Sequence, residues 1–89
     1  MEPFDFKASK DRKFLVVTNG FPNILIIETF DFTATKLLSV WTNTYKRYIY
    51  DIEISNSEEY IFASLYNKGL ITIDIRDLQK PLLISELFK

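Results

Sequence analysis

Cysteine and histidine are both absent from this sequence of 89 residues. Without cysteine, the chain forms no disulfide and offers neither a thiol nucleophile nor a thiolate metal ligand. Without histidine, it cannot build a Ser-His-Asp or Cys-His arrangement, nor a zinc, iron or copper site with histidine ligands. We therefore predict a protein that is not an enzyme and has no catalytic, metal-binding or cofactor-binding residues.

An excess of charge of one sign and long apolar runs are also missing. The chain has 11 basic and 12 acidic residues, so its net charge of −1 creates no field that would attract nucleic acid. No apolar run exceeds four residues, which is far too short to cross a bilayer. Glu2, Asp5 and Lys7 stand where a signal peptide would be apolar. We expect a soluble chain with no nucleic-acid partner and no membrane span.

Short apolar runs separated by turn residues make up most of the chain. Several alternate with a period of two, while the runs at 14–17 and 24–27 are apolar on both faces, which is typical of a sheet covered on both sides. No segment has a sustained helical period. The pattern predicts an all-β protein whose strand aromatics are mostly core. The eight predicted strands are Phe4–Ala8, Phe14–Thr18, Ile24–Glu28, Lys36–Trp41, Tyr48–Ser55, Tyr60–Ser64, Leu70–Ile75 and Leu82–Phe88.

The two halves of the chain align with each other at a constant offset of 46 residues and without a gap. All four strands and all three turns fall in register, and a four-stranded unit of about 40–50 residues is the period of a β-propeller blade. We predict a partial propeller over residues 1–89, with two consecutive four-stranded antiparallel blades, Phe4–Trp41 and Tyr48–Phe88. The alternative is a single eight-stranded β-sandwich of immunoglobulin-like size. The six identical pairs are Asp5/Asp51, Ser9/Ser55, Ile27/Ile73, Asp31/Asp77, Leu37/Leu83 and Ser39/Ser85.

The second half resembles an LVIVD-repeat blade. Such blades combine an aromatic-aliphatic strand ending in a small residue, a Gly-Leu start, an apolar strand ending in Asp, and a downstream Pro. Here these features are Ala63, Gly69-Leu70, Ile71–Asp74 and Pro81. The first half is similar, with Asn, Glu and Thr at the positions of the Gly, Asp and Pro. The resemblance implies a propeller of a family often associated with cell surfaces. WD-repeat propellers are a fallback, disfavoured because neither half has Gly-His or Trp-Asp.

Glycine and the acidic residues receive structural roles in this interpretation. Gly69 and its aligned partner Asn23 are predicted to adopt positive φ at a turn, since these two residue types tolerate that conformation best. The acidic pairs recur at the repeat spacing, which favours capping of turns by accepting backbone N–H groups two residues on over acid–base catalysis.

Five residues are candidates for contact with a partner because of their type and position. Phe21 lies in a turn, and Trp41, Tyr45, Arg47 and Tyr48 cluster at the connection between the halves, where Trp, Tyr and Arg are typical of binding hot spots. Packing between adjacent blades is the alternative for Trp41.

Two blades do not close a propeller ring, so their outer faces would stay exposed. We therefore predict an interaction or assembly module that contacts a protein partner or its own copies through these faces. The alternatives are a propeller that binds carbohydrate or a small molecule, with Trp41 and Tyr45 as stacking platforms, and a fragment of a larger propeller protein.

Overall fold

Two sheets of four strands each make up the fold. The computed structural model describes residues 5–11, 13–18, 23–31, 34–42, 48–66 and 69–88. Within these ranges every regular element is a strand and there is no helix, which confirms the predicted all-β class. The strands are β1 (Asp5–Ala8), β2 (Phe14–Thr18), β3 (Asn23–Asp31), β4 (Ala34–Thr42), β5 (Ile49–Ile54), β6 (Tyr60–Leu65), β7 (Gly69–Asp74) and β8 (Leu82–Phe88).

Each strand pairs with its neighbours in sequence. The first sheet has the order β1-β2-β3-β4, the second has the order β5-β6-β7-β8, and all pairs are antiparallel. This order follows from the short connections between the strands, because antiparallel strands can be joined by tight turns whereas parallel strands need a long crossover.

The pairing registers of the two sheets differ by the same 46 residues as the sequences. Phe14 pairs with Glu28 in the first sheet, and Tyr60 pairs with Asp74 in the second. The pairing of the last two strands shifts register after Ile26 in the first sheet and at the equivalent place, after Thr72, in the second. A β-bulge of this kind bends and twists a strand locally. The two sheets are therefore the same hydrogen-bonded unit built twice.

The first turn of each sheet is built in the same way. The Ser9 hydroxyl accepts a hydrogen bond from the Phe14 N–H at 3.2 Å, and the Ser55 hydroxyl accepts one from the Tyr60 N–H at 3.1 Å. The backbone N–H groups of the same two serines donate to the Phe14 and Tyr60 carbonyls, each at 2.9 Å. Each serine thus closes a turn of five residues from both its side chain and its backbone.

The core lies between the two sheets. We call the side of each sheet that contains the buried residues its inner face and the opposite side its outer face. The backbones of β1 and β5 make the closest strand-to-strand approach between the sheets. The buried residues of the first sheet are Phe14, Val16, Thr18, Ile24 and Ile26, and those of the strands of the second sheet are Ile49, Ile52, Ile61, Ala63, Leu65, Gly69, Ile71 and Ile73.

The two inner faces are not equivalent in the repeat. Val16 is buried on the inner face of the first sheet, but its equivalent, Phe62, lies on the outer face of the second sheet and is 42% exposed. Conversely, Ala63 is fully buried, and its equivalent Val17 lies on the outer face of the first sheet. The sheets therefore stack in the same orientation, with the front of one unit against the back of the next. A two-fold arrangement would instead bury the same positions in both sheets.

The side chains of β5 do not follow the alternation that the sequence predicts. A strict period of two over Tyr48–Ser55 predicts Tyr48, Tyr50, Ile52 and Ile54 on one face, but Tyr50 is 77% exposed while Ile49 and Ile52 are buried. A register shift between Ile49 and Asp51 causes the difference, because one extra residue in a strand moves the preceding side chains to the other face.

The expectation that strand aromatics are core is correct for Phe14 and wrong for two phenylalanines on the outer faces. Phe14 is buried, whereas Phe6 is 56% exposed and Phe62 is also largely accessible. A stack of two sheets covers only one face of each sheet. Phe62 lies in a middle strand that is apolar on both faces, whereas Phe6 lies in an edge strand whose inner face has Asp5 and Lys7. Phe4 lies outside the described residues.

The prediction for Gly69 and Asn23 is wrong, because neither has positive φ. Both are the first residues of strands, β7 and β3. Gly69 instead lies close to Phe88, since a Cβ atom built on it would lie 2.6 Å from Cε1 of that ring, which would have to shift. Among the described non-glycine residues, only Glu58, in the turn between β5 and β6, has positive φ, at 63°. The supposed turn equivalence of Gly69 and Asn23 therefore no longer supports the repeat.

Candidate interaction faces

The outer face of the first sheet presents an apolar surface made by all four strands. Cross-strand pairs join Phe6 to Val17 and Leu25 to Val40, and the alternation of side chains places these residues together on one side. Phe6, Leu37 and Val40 are exposed, while the residues of the two middle strands are half-buried. Its apolar members are Phe6, Ala8, Leu15, Val17, Leu25, Ile27, Leu37 and Val40.

The outer face of the second sheet is smaller and mixed in character. Leu70 and Leu87 pair directly across β7 and β8, and Phe62 lies diagonally beside Leu70, so these three side chains form an exposed apolar strip. Polar groups surround the strip. They are Asp51, Glu53, Ser64, Thr72 and Ser85.

The contact between the two sheets has polar anchors at its edges. The Lys7 ammonium lies 3.5 Å from a carboxylate oxygen of Glu53, and the Lys10 ammonium donates to the Asn56 carbonyl at 2.8 Å. At the β4 end, the Ser39 hydroxyl donates to the Leu78 carbonyl at 2.6 Å. Lys7 and Glu53 are 46 residues apart, as are Lys10 and Asn56. Near β1 and β5, equivalent residues of the two units therefore meet each other directly.

The candidate residues from the sequence are only partly described. Phe21, Tyr45 and Arg47 lie outside the described residues. Trp41 lies in β4 on the inner face of the first sheet, where it pairs with Ile24 and packs, half-buried, against the core. Tyr48 precedes β5, with its side chain exposed, and its carbonyl accepts a hydrogen bond from the Tyr66 N–H at 2.8 Å.

Asp74 and Asp77 cap the local backbone with the expected spacing, whereas Asp5 and Asp51 do so with a different one. The carboxylate of Asp77 accepts from the N–H two residues on, that of Gln79, at 3.0 Å. The carboxylates of Asp5 and Asp51 instead accept from the N–H of the next residue, each at 2.9 Å. A carboxylate that accepts a hydrogen bond from a nearby backbone N–H stabilises the local conformation of the chain.

Asp74 and Arg76 form the best-connected ion pair of the described surface. The guanidinium donates to both carboxylate oxygens, with a shortest distance of 2.7 Å, and the Arg76 N–H adds a further bond of 2.9 Å. The side-chain hydrogen bond from Arg76, followed by the one from its backbone, lowers the pKa of Asp74. In the first sheet, the Lys13 N–H and the Ser9 hydroxyl lower the pKa of Asp11 in a similar way.

A shallow depression lies at the β1–β2 end of the contact between the sheets. Its volume is about 340 Å³, and it is lined by apolar groups of Phe14, Ile75 and Leu78 with Glu58, Glu59 and Arg76 beside them. It is open to solvent, whereas sites for small molecules usually enclose most of the ligand. Within the described residues there is no cluster of three or more potential metal ligands.

The sequence interpretation missed the outer faces as specific sets of residues. It assigned Phe6 and Phe62 to a core and did not select Leu70 or Leu87. The signal that would have found them is the apolar character of both faces of the middle strands, combined with the repeat.

Comparison with known proteins finds no match to this chain among family models, curated proteins or solved structures. In the part of the chain that the structure describes, no helix has the length and apolar character needed to cross a membrane.

Proposed function

We propose that the chain is a segment of a β-propeller, with two LVIVD-like blades, that acts as a non-enzymatic interaction or assembly module. Its outer sheet faces are the surfaces that contact other protein sheets. The observation that carries this proposal is that the two repeats bury opposite faces. The sheets therefore stack front to back, and each has one face covered and one face open.

The stacking order supports blades over an immunoglobulin-like sandwich. In an immunoglobulin-like sandwich, consecutive strands change sheet, so each sheet mixes strands from distant parts of the chain. Here each sheet consists of four consecutive strands, and the two sheets stack front to back. The close approach of β1 and β5 also suits blades, because the first strands of neighbouring blades meet near a common axis.

The apolar character of the open faces supports a role in binding. Phe6, Leu37 and Val40 on one side and Phe62, Leu70 and Leu87 on the other are exposed large hydrophobic residues of two continuous surfaces. Exposed apolar patches of this kind mark interaction sites in soluble proteins. Burial of one such side chain contributes about 1.5–3 kcal/mol when it passes from full exposure to full burial.

Sedimentation velocity at micromolar concentration tests the proposal with the variant Phe62→Glu. We expect the chain to associate and the variant to associate at least about tenfold more weakly, because a carboxylate would have to lose its water in an apolar contact. Gln79→Glu is the control, since Gln79 is exposed in the connection between β7 and β8, outside the strands that form the outer faces. A folded, monodisperse monomer would contradict the proposal, since the open faces would then need no cover.

A further inference from the structure

We propose that the outer face of the second sheet binds the outer face of the first sheet in another copy of this chain. This contact between two chains has the same front-to-back geometry as the contact between the two sheets within one chain. This inference rests on the proposed function and names the partner that covers the open faces.

The equivalence of faces is the first argument. The inner face of the first sheet corresponds, position by position, to the outer face of the second sheet, as Val16 to Phe62 and Thr18 to Ser64 show. The inner face of the second sheet corresponds in the same way to the outer face of the first sheet, as Ala63 and Val17 show. Each chain therefore presents at its two ends the two halves of a contact that it already makes in its middle.

The character of the side chains is preserved at several of these positions, although Thr72 is equivalent to the buried Ile26. Thr18 and Ser64 are both small hydroxyl residues, and Ile24 and Leu70 are both aliphatic. The largest side chain at the inner edge, Trp41, is replaced by Leu87, which pairs with Leu70. The outer face of the second sheet is thus suited to a surface like the one that the first sheet already contacts.

Charge complementarity is the second argument. Lys7 and Glu53 occupy equivalent positions, 46 residues apart, and contact each other across the sheets at 3.5 Å. If the same stacking continues, Glu53 faces Lys7 of the next copy, so positive and negative charges alternate along the stack. Glu53 is open to this second cation, because 62% of its side chain is exposed. The strands of the second sheet contain no lysine, so pairing of two second sheets would offer Glu53 no equivalent of Lys7.

A heterologous contact of this kind generates a closed ring or an open chain, depending on the rotation between copies. Both forms contain the same contact between the same two faces. The test therefore reads the contact itself rather than the number of copies.

Cysteine crosslinking provides that test, because the natural chain has no cysteine. The variants Ser64→Cys and Val17→Cys each introduce one thiol of similar size into one outer face. Their equivalents, Thr18 and Ala63, are both buried in the contact within the chain. Each variant alone and an equimolar mixture are treated with a short bifunctional thiol reagent, and covalent dimers are separated by denaturing electrophoresis. Trp41 fluorescence, from the single tryptophan, checks that each variant folds.

We expect covalent dimers in the mixture at several times the amount found with either variant alone. A mixture of Val17→Cys with Gln79→Cys is the control, since Gln79 is exposed in the connection between β7 and β8, outside both sheets, and it should give the same low background as a single variant. Equal or stronger crosslinking of one variant with itself would mean that like faces pair, which overturns the front-to-back contact. Association in sedimentation without crosslinks above background in the mixture would also overturn it.

These outcomes separate the inference from the proposed function. Association through like faces leaves an assembly module with a different contact. A chain that stays monomeric in sedimentation contradicts both.

Discussion

Replacement of Gly69 by alanine tests whether this glycine serves to make room for a neighbouring side chain. The added Cβ would lie 2.6 Å from Cε1 and 2.9 Å from Cδ1 of Phe88, and 3.2 Å from Cβ of Leu65. Gly69 and Phe88 pair directly across β7 and β8, so the backbone holds the two residues together. The Phe88 ring would have to leave the core against which it packs.

Opposing effects decide the size of the change. Alanine restricts the unfolded chain more than glycine does, which stabilises the fold by about 0.4–1 kcal/mol where the native backbone accepts it. Excess volume in a packed site destabilises by about 1–3 kcal/mol. Because the native φ of Gly69 is not positive, only the crowding opposes alanine. We expect Gly69→Ala to lower the free energy of unfolding by about 1–2 kcal/mol.

A double-mutant cycle with Phe88→Ala identifies the cause. Denaturant unfolding is followed by Trp41 fluorescence at a fixed protein concentration, so that association affects all variants alike. If Phe88 causes the strain, Gly69→Ala is neutral or slightly stabilising in the Phe88→Ala background, and the coupling energy exceeds about 1 kcal/mol. Equal costs in both backgrounds would refute the explanation by crowding, and the requirement for glycine would then lie in the backbone.

Two further predictions concern the turns and the ion pair. Ser9→Ala should lower the free energy of unfolding by about 1–3 kcal/mol in denaturant unfolding, and Ser55→Ala should lower it less. Ser9 is buried, and its loss leaves the N–H groups of Lys13 and Phe14 without that acceptor. Equal costs would contradict this reason. Arg76 lowers the pKa of Asp74 from 3.8, so the native chain should be more stable than Asp74→Asn above about pH 4. This difference in stability should disappear as the pH falls through the lowered pKa. If unfolding midpoints measured against pH still differ there, the ion pair is not the source of the difference.

The strands and their order were predictable from the sequence because local signals determine them. Alternating or fully apolar runs mark each strand, and the runs are bounded by polar turn residues. The short turns then leave antiparallel neighbours as the natural pairing. The repeat was also predictable from the sequence, because strands at a constant offset pair with neighbours at the same offset.

The bulges and the choice of buried face were not predictable in the same way. The register shift at Ile49 and Asp51 depends on how β5 pairs with β6, and a period of two read along one strand does not contain that information. The middle strands have two apolar faces, so the sequence does not distinguish the side that stacks inside the chain. Gly69 shows the same limit, because its contact with Phe88 joins strands that are distant in sequence.

The sequence predicted uncovered outer faces but not the residues that form them. The sequence argument that two blades leave outer faces uncovered is consistent with the exposed strips on both sheets. The five residues that it selected were chosen by type and by their place in a turn or at the connection between the two halves. Residue types that are typical of hot spots identify an interface only after its location is known.

The positions that remain identical in the two halves are mostly places where the backbone departs from a regular sheet. Ser9 and Ser55 close the first turns with the same hydrogen bonds. Two other identical pairs flank the equivalent bulges, since Ile27 pairs with Leu37 and Ile73 with Leu83 next to the register shifts. The strand positions between them differ in side-chain size, as Val16 and Phe62 do. A regular strand accepts many apolar residues, whereas a turn or a bulge needs a particular hydrogen bond or shape. The identities therefore preserve the geometry that gives both sheets the same form, and that shared form is what allows one unit to stack on the next.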